Sequence, residues 1–488
     1  MKLLKILLIL NITATLKYAV AQGVVQSAVN NLQQSVDFQY AGISFLAINL
    51  ETGEKIAEQN PLLTIPPAST AKLFSTAAAI EILGPDYRPK TRLYIDGEIT
   101  NDSILNGNIW IRGGGDITLG SRFFTEQGHE KDFLKIWVDS VKSAGIKKIN
   151  GKIIADGSEF GYAGVPDGWC WIDMGNYYGA GPSGICIFDN SIRYNFKTGA
   201  SVGDQTTLIN YFPKVPGLIF HNYIQSSNVN DDNSYIYGGP FSNDRFGTGR
   251  LPLNRASYSV KGSMPDPESQ LAYEFYTALS NSGIEITEKY DGARNLSGNS
   301  ALDYSKIFKL LLTHKGQKLI DIARLTNMKS INLFAEGLVC LIGYEKNGNG
   351  STESGIKEIE KYWSTRINTK GLILKDGSGL SRSNGISASH FCALLKYMNS
   401  SKFRDVFNST LPVAGKSGTL NSLCRNQPGQ GRISAKSGTM SKIKSYSGYV
   451  QSSSGKKIAF AIILTNFSGS SSNATSKIEG ILNQLASY

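Results

Sequence analysis

The sequence predicts an α/β domain interrupted by a long β-rich insertion. Three observations lead there. A strand–turn–strand pattern stands near the N-terminus, at residues 42–57. A hairpin of apolar strands followed by a helix stands at the C-terminal end, from Tyr446 onward. Between them, residues 87–290 break into short strand-like runs separated by Gly and Asp turns, with helical texture on either side.

The elements follow in order. Residues 42–54 alternate and end in Glu51-Thr52-Gly53-Glu54, a strand and a turn, with a second strand at Lys55-Ile56-Ala57. Pro66-Pro67 breaks the chain, Ser69 opens an apolar helical run to Leu83, and Gly84-Pro85 stops it. Arg92-Leu93-Tyr94-Ile95 and Asn108-Ile109-Trp110-Ile111 exemplify the strands of the insertion, with Gly113-Gly114-Gly115-Asp116 as a turn. Helical spacing is read again at 307–312, 319–325, 332–342 and 388–398. The expected division is 1–21 as a signal peptide, 22–86 as the first part of the α/β domain, 87–290 as an inserted region of two small domains, and 291–488 as the second part.

Composition narrows the function classes. With 41% hydrophobic and 18% charged residues among 488, the chain builds large cores and is not disordered as a whole. Met1-Lys2-Leu3-Leu4-Lys5, an apolar core and Ala19-Val20-Ala21 read as a signal peptide, so an exported, periplasmic or envelope-associated protein is expected; a cytosolic N-terminal helix is the alternative. No later stretch is apolar enough for a transmembrane anchor. Removing Lys2, Lys5 and Lys17 takes three charges from +11 and leaves +8, which suits a polyanionic neighbourhood such as a cell wall. The basic residues are scattered, so no nucleic-acid partner is expected. Five cysteines lie far apart without a C-x-x-C pair, and four histidines lack ligand spacing, so no metal or other cofactor is implied.

Ser69-Thr70-Ala71-Lys72 places a hydroxyl and an amine on one helical face. A lysine among apolar neighbours can lose its proton and accept one from serine, and a serine at a helix N-terminus offers a free N–H for an oxyanion. The same spacing recurs at Ser354/Lys357, Ser441/Lys444, Ser453/Lys456 and Ser454/Lys457, and a helix cap with a solvated lysine is the plainer reading. Only Ser69 opens a strongly apolar helix. Ser330-Ile331-Asn332 stands at the entrance to another helix, where a serine can relay a proton and an asparagine can hold an amide carbonyl or the lysine amine; a capping turn is its alternative. Lys436-Ser437-Gly438-Thr439 follows a strand-like lead. Gly438 leaves room for a ligand backbone, the hydroxyls and charge suit a carboxylate, and the Thr439 N–H can complete an oxyanion hole. An exposed edge strand guarded by a lysine is the alternative.

Taken together, S-x-x-K, S-x-N and K-[ST]-G in that order resemble the penicillin-recognising serine enzymes. Within them the chain resembles the class C low-molecular-mass penicillin-binding proteins, the D-alanyl-D-alanine carboxypeptidase/endopeptidases. The phrases that carry the resemblance are Pro67-Ala68-Ser69-Thr70-Ala71-Lys72, Arg112-Gly113-Gly114-Gly115-Asp116-Ile117-Thr118-Leu119, Asn327-Met328-Lys329-Ser330-Ile331-Asn332, Asp376-Gly377-Ser378-Gly379-Leu380-Ser381-Arg382-Ser383-Asn384 and Ala435-Lys436-Ser437-Gly438-Thr439. The resemblance implies a β-lactamase/transpeptidase-like domain, an antiparallel sheet with flanking helices, split between the first two motifs by inserted domains. It implies a serine DD-peptidase that acts on peptidoglycan peptides through an acyl-enzyme on Ser69 and is inhibited by β-lactams. Catalytic roles fall to Ser69, Lys72, Ser330, Asn332 and Lys436. Ser437, Gly438 and Thr439 would hold substrate, and Asp173 and Arg382 would read the side chain of the donor peptide.

The third motif has Ser437 where threonine is more usual, and hydroxyl chemistry survives the change. Lys416-Ser417-Gly418 is a second copy, expected to be a decoy. Trp169 and Trp171 are expected to pack rather than to form a sugar platform. The rival functions are a β-lactamase, which differs in fast deacylation, and a non-catalytic penicilloyl or wall-binding protein on the same fold. The sequence leaves open which group acts as base.

Overall fold

The computed structural model describes residues 23–297 and 302–488; the expected signal peptide, residues 1–21, lies outside them. The chain forms two compact units. The first holds the described residues up to Glu81, Ala323–Ser330 and Ile359–Tyr488, and the second holds Ile82–Ile322 and Ile331–Glu358, without the undescribed 298–301.

The first unit is built on a five-stranded antiparallel sheet. Its order is Ile433–Met440, Ile443–Gln451, Lys457–Thr465, Gly42–Asn49, Lys55–Gln59. Gly42 pairs with Thr465 and Asn49 with Ile458, so the first strand lies between its own hairpin partner and the last strand of the chain. Strands rich in Ile, Ala and Phe are buried along nearly their whole length because helices cover both faces. The amphipathic helix Ser471–Ser487 sets Ile478, Ile481, Leu482 and Leu485 into one core with Val25, Val29, Phe45, Phe460 and Ile462. On helix Ala388–Ser400, Phe391 meets Phe74 edge-on at 5.5 Å. This holds helix Lys72–Leu83 inside the unit.

The second unit carries the sheets of the insertion. One runs Tyr290–Gly292, Ile153–Asp156, Ile109–Arg112, Lys90–Ile95, Lys309–Lys315. Two three-stranded sheets follow: Thr207–Phe212, Ser191–Lys197, Tyr258–Ser263, and Ile219–Ser227, Asp244–Pro252, Asn233–Tyr237.

One local expectation changes. The stretch read as helical at 307–312 contains most of strand Lys309–Lys315, which pairs antiparallel with Lys90–Ile95. Leucines at 310–312 satisfy either periodicity, and a distant pairing decides. The β-rich insertion also holds helices Phe133–Ser143 and Pro267–Asn281. Asp266 caps the latter, accepting from Ser269 N at 3.1 Å with Pro267 just inside. All five cysteines are unpaired. Among the described residues no helix is long and apolar enough to cross a membrane.

Candidate active site

Ser69 lies on a single 3-10 turn, Ala68–Ala71, that leads directly into helix Lys72–Leu83. Ala68 holds a left-handed backbone with φ +49°, a strain of about 1–3 kcal/mol that the surrounding fold sustains. The helix is buried at every residue from Lys72 to Ile80, so the Lys72 amine has no access to bulk water. Its Nζ donates to Ser69 Oγ at 3.0 Å and to the Ser378 carbonyl at 2.7 Å.

That carbonyl is held by Asp376, a residue whose role sequence reasoning missed although it lies in a quoted phrase. Buried Asp376 accepts from Gly379 N (2.8 Å), Ser381 N (2.6 Å) and Asn384 Nδ2 (2.8 Å), folding the 376–384 loop over the helix. Ser75 Oγ adds a 2.8 Å bond to the Gly377 carbonyl. The available signal was Asp-x-x-Gly, an Asx-type turn.

Lys436 projects from the outer strand Ile433–Met440 and is fully buried. It donates to Ser330 Oγ at 2.9 Å and to the Ser437 carbonyl at 2.6 Å. Burial, and then repulsion from the Lys72 charge, push its ammonium well below the usual lysine range. Ser330 links helices Leu319–Lys329 and Asn332–Asn347 with a left-handed φ of +59°. Ser69, Lys72, Ser330 and Lys436 are thus assembled in one unit by two lysine–serine hydrogen bonds.

Gly438 is required by close approach. A Cβ there would lie 2.3 Å from Ser445 Oγ, 2.8 Å from the Pro67 carbonyl and 2.9 Å from Ser69 N. The strand is pressed against the serine turn, and buried Ser445 and Thr70 tie the contact. Ser445 Oγ donates to the Pro67 carbonyl at 2.5 Å and lies 3.1 Å from Thr70 Oγ1. Neither residue was singled out from sequence. Ser437 Oγ donates to Thr419 Oγ1 at 2.8 Å, and Thr439 Oγ1 accepts from Lys444 Nζ at 3.0 Å. Lys416 of the second K-S-G copy is exposed beside Gly431. Arg382 is exposed in the same unit.

Asn332 and Asp173 belong to the other unit, where Tyr178 joins them. Asn332 Nδ2 donates to the Tyr178 carbonyl at 2.8 Å. The Tyr178 hydroxyl, its pKa raised by burial and then by the Asp173 charge, hydrogen-bonds that carboxylate. Trp169 is buried, whereas Trp171 is half-exposed against Tyr237 and Phe246, at 6.1 and 6.4 Å.

A serine beside a buried lysine, a second lysine–serine pair and a glycine strand against the serine turn define a penicillin-recognising serine enzyme. The chain belongs to the D-Ala-D-Ala carboxypeptidase 3 (S13) family, which it matches over residues 25–486. It is a serine-type carboxypeptidase. A D-alanyl-D-alanine carboxypeptidase of Actinomadura sp. (strain R39) is 27% identical over 436 residues, covering 87% of this chain and 78% of that protein. The D-alanyl-D-alanine carboxypeptidase DacB of Haemophilus influenzae is 25% identical over 461 residues, covering 90% and 88%. The fold is that of the crystal structure of penicillin binding protein 4 (dacB) from Haemophilus influenzae, with a TM-score of 0.80 at 23% identity over 95% of this chain and 99% of that one.

Proposed function

We propose that Ser69 is the nucleophile of a DD-peptidase that cleaves D-Ala–D-Ala termini or cross-links of peptidoglycan peptides, and that it is acylated by β-lactams. The hydrogen bond from Lys72 to Ser69 carries this reading. Two lysines in one buried cluster disfavour a second ammonium, burial and the Lys72 charge lowering the proton affinity of Lys436, so the pair readily gives up one proton; at the moment of attack the mechanism places the free amine on Lys72 and the ammonium on Lys436. Lys72 takes the Ser69 proton as Oγ attacks the carbonyl. The N–H groups of Ser69 and Thr439 receive the oxyanion, on two segments that Gly438 lets approach. Lys436, through Ser330, delivers a proton to the leaving amine, and water then releases the acyl group. Asn332 orients the substrate amide. Ser437 and Thr439 hold its carboxylate, and Asp173 and Arg382 read the donor side chain. The basic balance of the chain suits work in an envelope, outside the cytoplasm.

A labelled penicillin tests the nucleophile. Wild type should be labelled on Ser69, while folded Ser69→Ala and Lys72→Ala should not; label retained in Ser69→Ala would assign the reaction elsewhere. Steady turnover of a D-Ala–D-Ala peptide with a long-lived penicilloyl-enzyme separates the peptidase from a β-lactamase or a pure binder.

A further inference from the structure

The inserted unit contains a concentration of positive charge that the peptidase reaction does not use. In the sheet of Thr207–Phe212, Ser191–Lys197 and Tyr258–Ser263, Lys261 stands directly opposite Arg193, and Arg193 directly opposite Phe212. Directly paired residues share a face, so two cations are set side by side. Like charges in that relation destabilise a sheet, and the usual remedy is an acid between them. Among the described residues, neither Arg193 nor Lys261 has a carboxylate within 4 Å. Arg193 lies 5.7 Å from the Phe212 ring centroid and Lys261 5.8 Å from that of Tyr177. Arg122 adds a third charge to the group. Burial, then Arg122, then Arg193, lower the proton affinity of Lys261, with the Asp189 charge opposing them, so the fields of the three cations overlap.

These residues line a cavity of about 250 Å³. The two carboxylates at its wall are already engaged. Asp189 accepts from Ser121 Oγ at 2.5 Å and faces Arg122 Nε at 3.5 Å, and Glu130 accepts from Gly128 N at 2.7 Å. Burial pushes the Asp189 carboxyl up, with the Arg122 charge, the Ser121 hydroxyl and, more weakly, Lys261 opposing, so this single acid is shared among the cations. Asp189 sits in the run Phe188, Asp189, Asn190, with left-handed φ of 53°, 57° and 45°. A backbone so constrained fixes where the Asp189 carboxylate stands in the wall. The cavity is smaller than the roughly 300–1,000 Å³ that holds a drug-sized molecule, so it fits a group rather than a whole ligand.

We propose that this cavity is a phosphoryl-binding site, with Arg122, Arg193 and Lys261 as its ligands, taking free phosphate or a phosphate ester borne by an envelope polymer. One arginine fork satisfies a carboxylate, whereas three donors arriving from a loop and two strands suit a tetrahedral oxyanion. A phosphoryl group brings about 1–2 negative charges, enough to offset the excess of cation over free carboxylate.

The test is calorimetric titration of the full chain at 150 mM salt with two probes, inorganic phosphate and a short glycerol-phosphate oligomer. At least one should bind with a Kd below about 1 mM, and which one identifies the source. Arg193→Gln/Lys261→Gln should weaken it about tenfold or more, while Lys135→Gln/Lys142→Gln, exposed lysines elsewhere on the unit, should not. The first variant removes a repulsion, so it should melt at or above the wild-type temperature without phosphate and gain less than wild type when phosphate is added; single Lys261→Gln is the milder form. Absence of binding by both probes to about 10 mM, or equal loss in both double variants, would overturn the site. Penicillin labelling of Ser69 should be the same throughout, so this outcome is independent of the peptidase reading.

Discussion

The Lys436 amine donates to the Ser330 hydroxyl at 2.9 Å, although 106 residues separate them in the chain. Both groups are costly to place: the lysine is fully buried and the serine holds a left-handed φ of +59°. An arrangement that stores cost on both partners points to a reaction that uses both.

Lys436→Ala should therefore cut peptidase turnover by about two or more orders of magnitude, while Lys416→Ala stays within a few-fold. Steady-state kinetics on a D-Ala–D-Ala peptide decide. The reverse ranking would place the third motif on residues 416–418.

Gly438→Ala should leave the protein folded yet slow acylation by about a hundredfold or more. A methyl group 2.8 Å from the Pro67 carbonyl and 2.9 Å from Ser69 N must lift the strand off the Ser69 turn. Relieving only the third contact, by adding Ser445→Ala, should not restore the rate. A double variant with wild-type acylation would refute this account.

Glu268 supplies a pH dependence of stability. Burial raises its pKa to about 8 from an ordinary 4.5, with the Arg294 N–H opposing and Asp266 and Asp156 reinforcing. The folded state thus holds a proton that the unfolded chain releases. Its contribution is complete below pH 4.5 and is lost as pH rises through about 8. Denaturant unfolding at pH 5 and pH 9 should show Glu268→Gln gaining on wild type by about 2–4 kcal/mol at the higher pH. An equal difference at both pH values would show that Glu268 does not titrate in this range.

Asp173→Ala and Arg382→Ala should each reduce the preference for a diaminopimelate-bearing peptide over a truncated one, by about 1–3 kcal/mol in kcat/KM, and spare penicillin labelling. Tyr178→Phe removes the hydroxyl that Asp173 holds. If it reproduces Asp173→Ala, then Asp173 acts by positioning the Tyr178 segment and Asn332. An unchanged preference in all three variants would place side-chain reading elsewhere.

Much of the site was legible because its chemistry demands particular side chains at fixed local spacing. Ser69 and Lys72 share one helical face, and Lys436 and Gly438 share one strand. What stayed hidden depends on pairings that no local pattern encodes. Ser445 and Thr70 matter only because a strand meets a turn some 375 positions away. Lys309–Lys315 became a strand through its pairing with Lys90–Ile95, and Arg193 faces Lys261 only once the register is known. Helix Pro267–Asn281, by contrast, carried a visible Asp266-Pro267 start inside a stretch whose overall texture is β.

The order of the five-stranded sheet also sets when the enzyme can work. Strand Gly42–Asn49 finds a neighbour in Lys457–Thr465, roughly 400 residues later, and Lys436 arrives on Ile433–Met440, two strands away in the same late part of the sheet. A ribosome must therefore finish almost the whole chain before the strand of Lys436 and Gly438 can close on the Ser69 turn. The emerging polypeptide carries Ser69 and Lys72 without the strand that packs against them, and a chain cut short before residue 433 would never gain it.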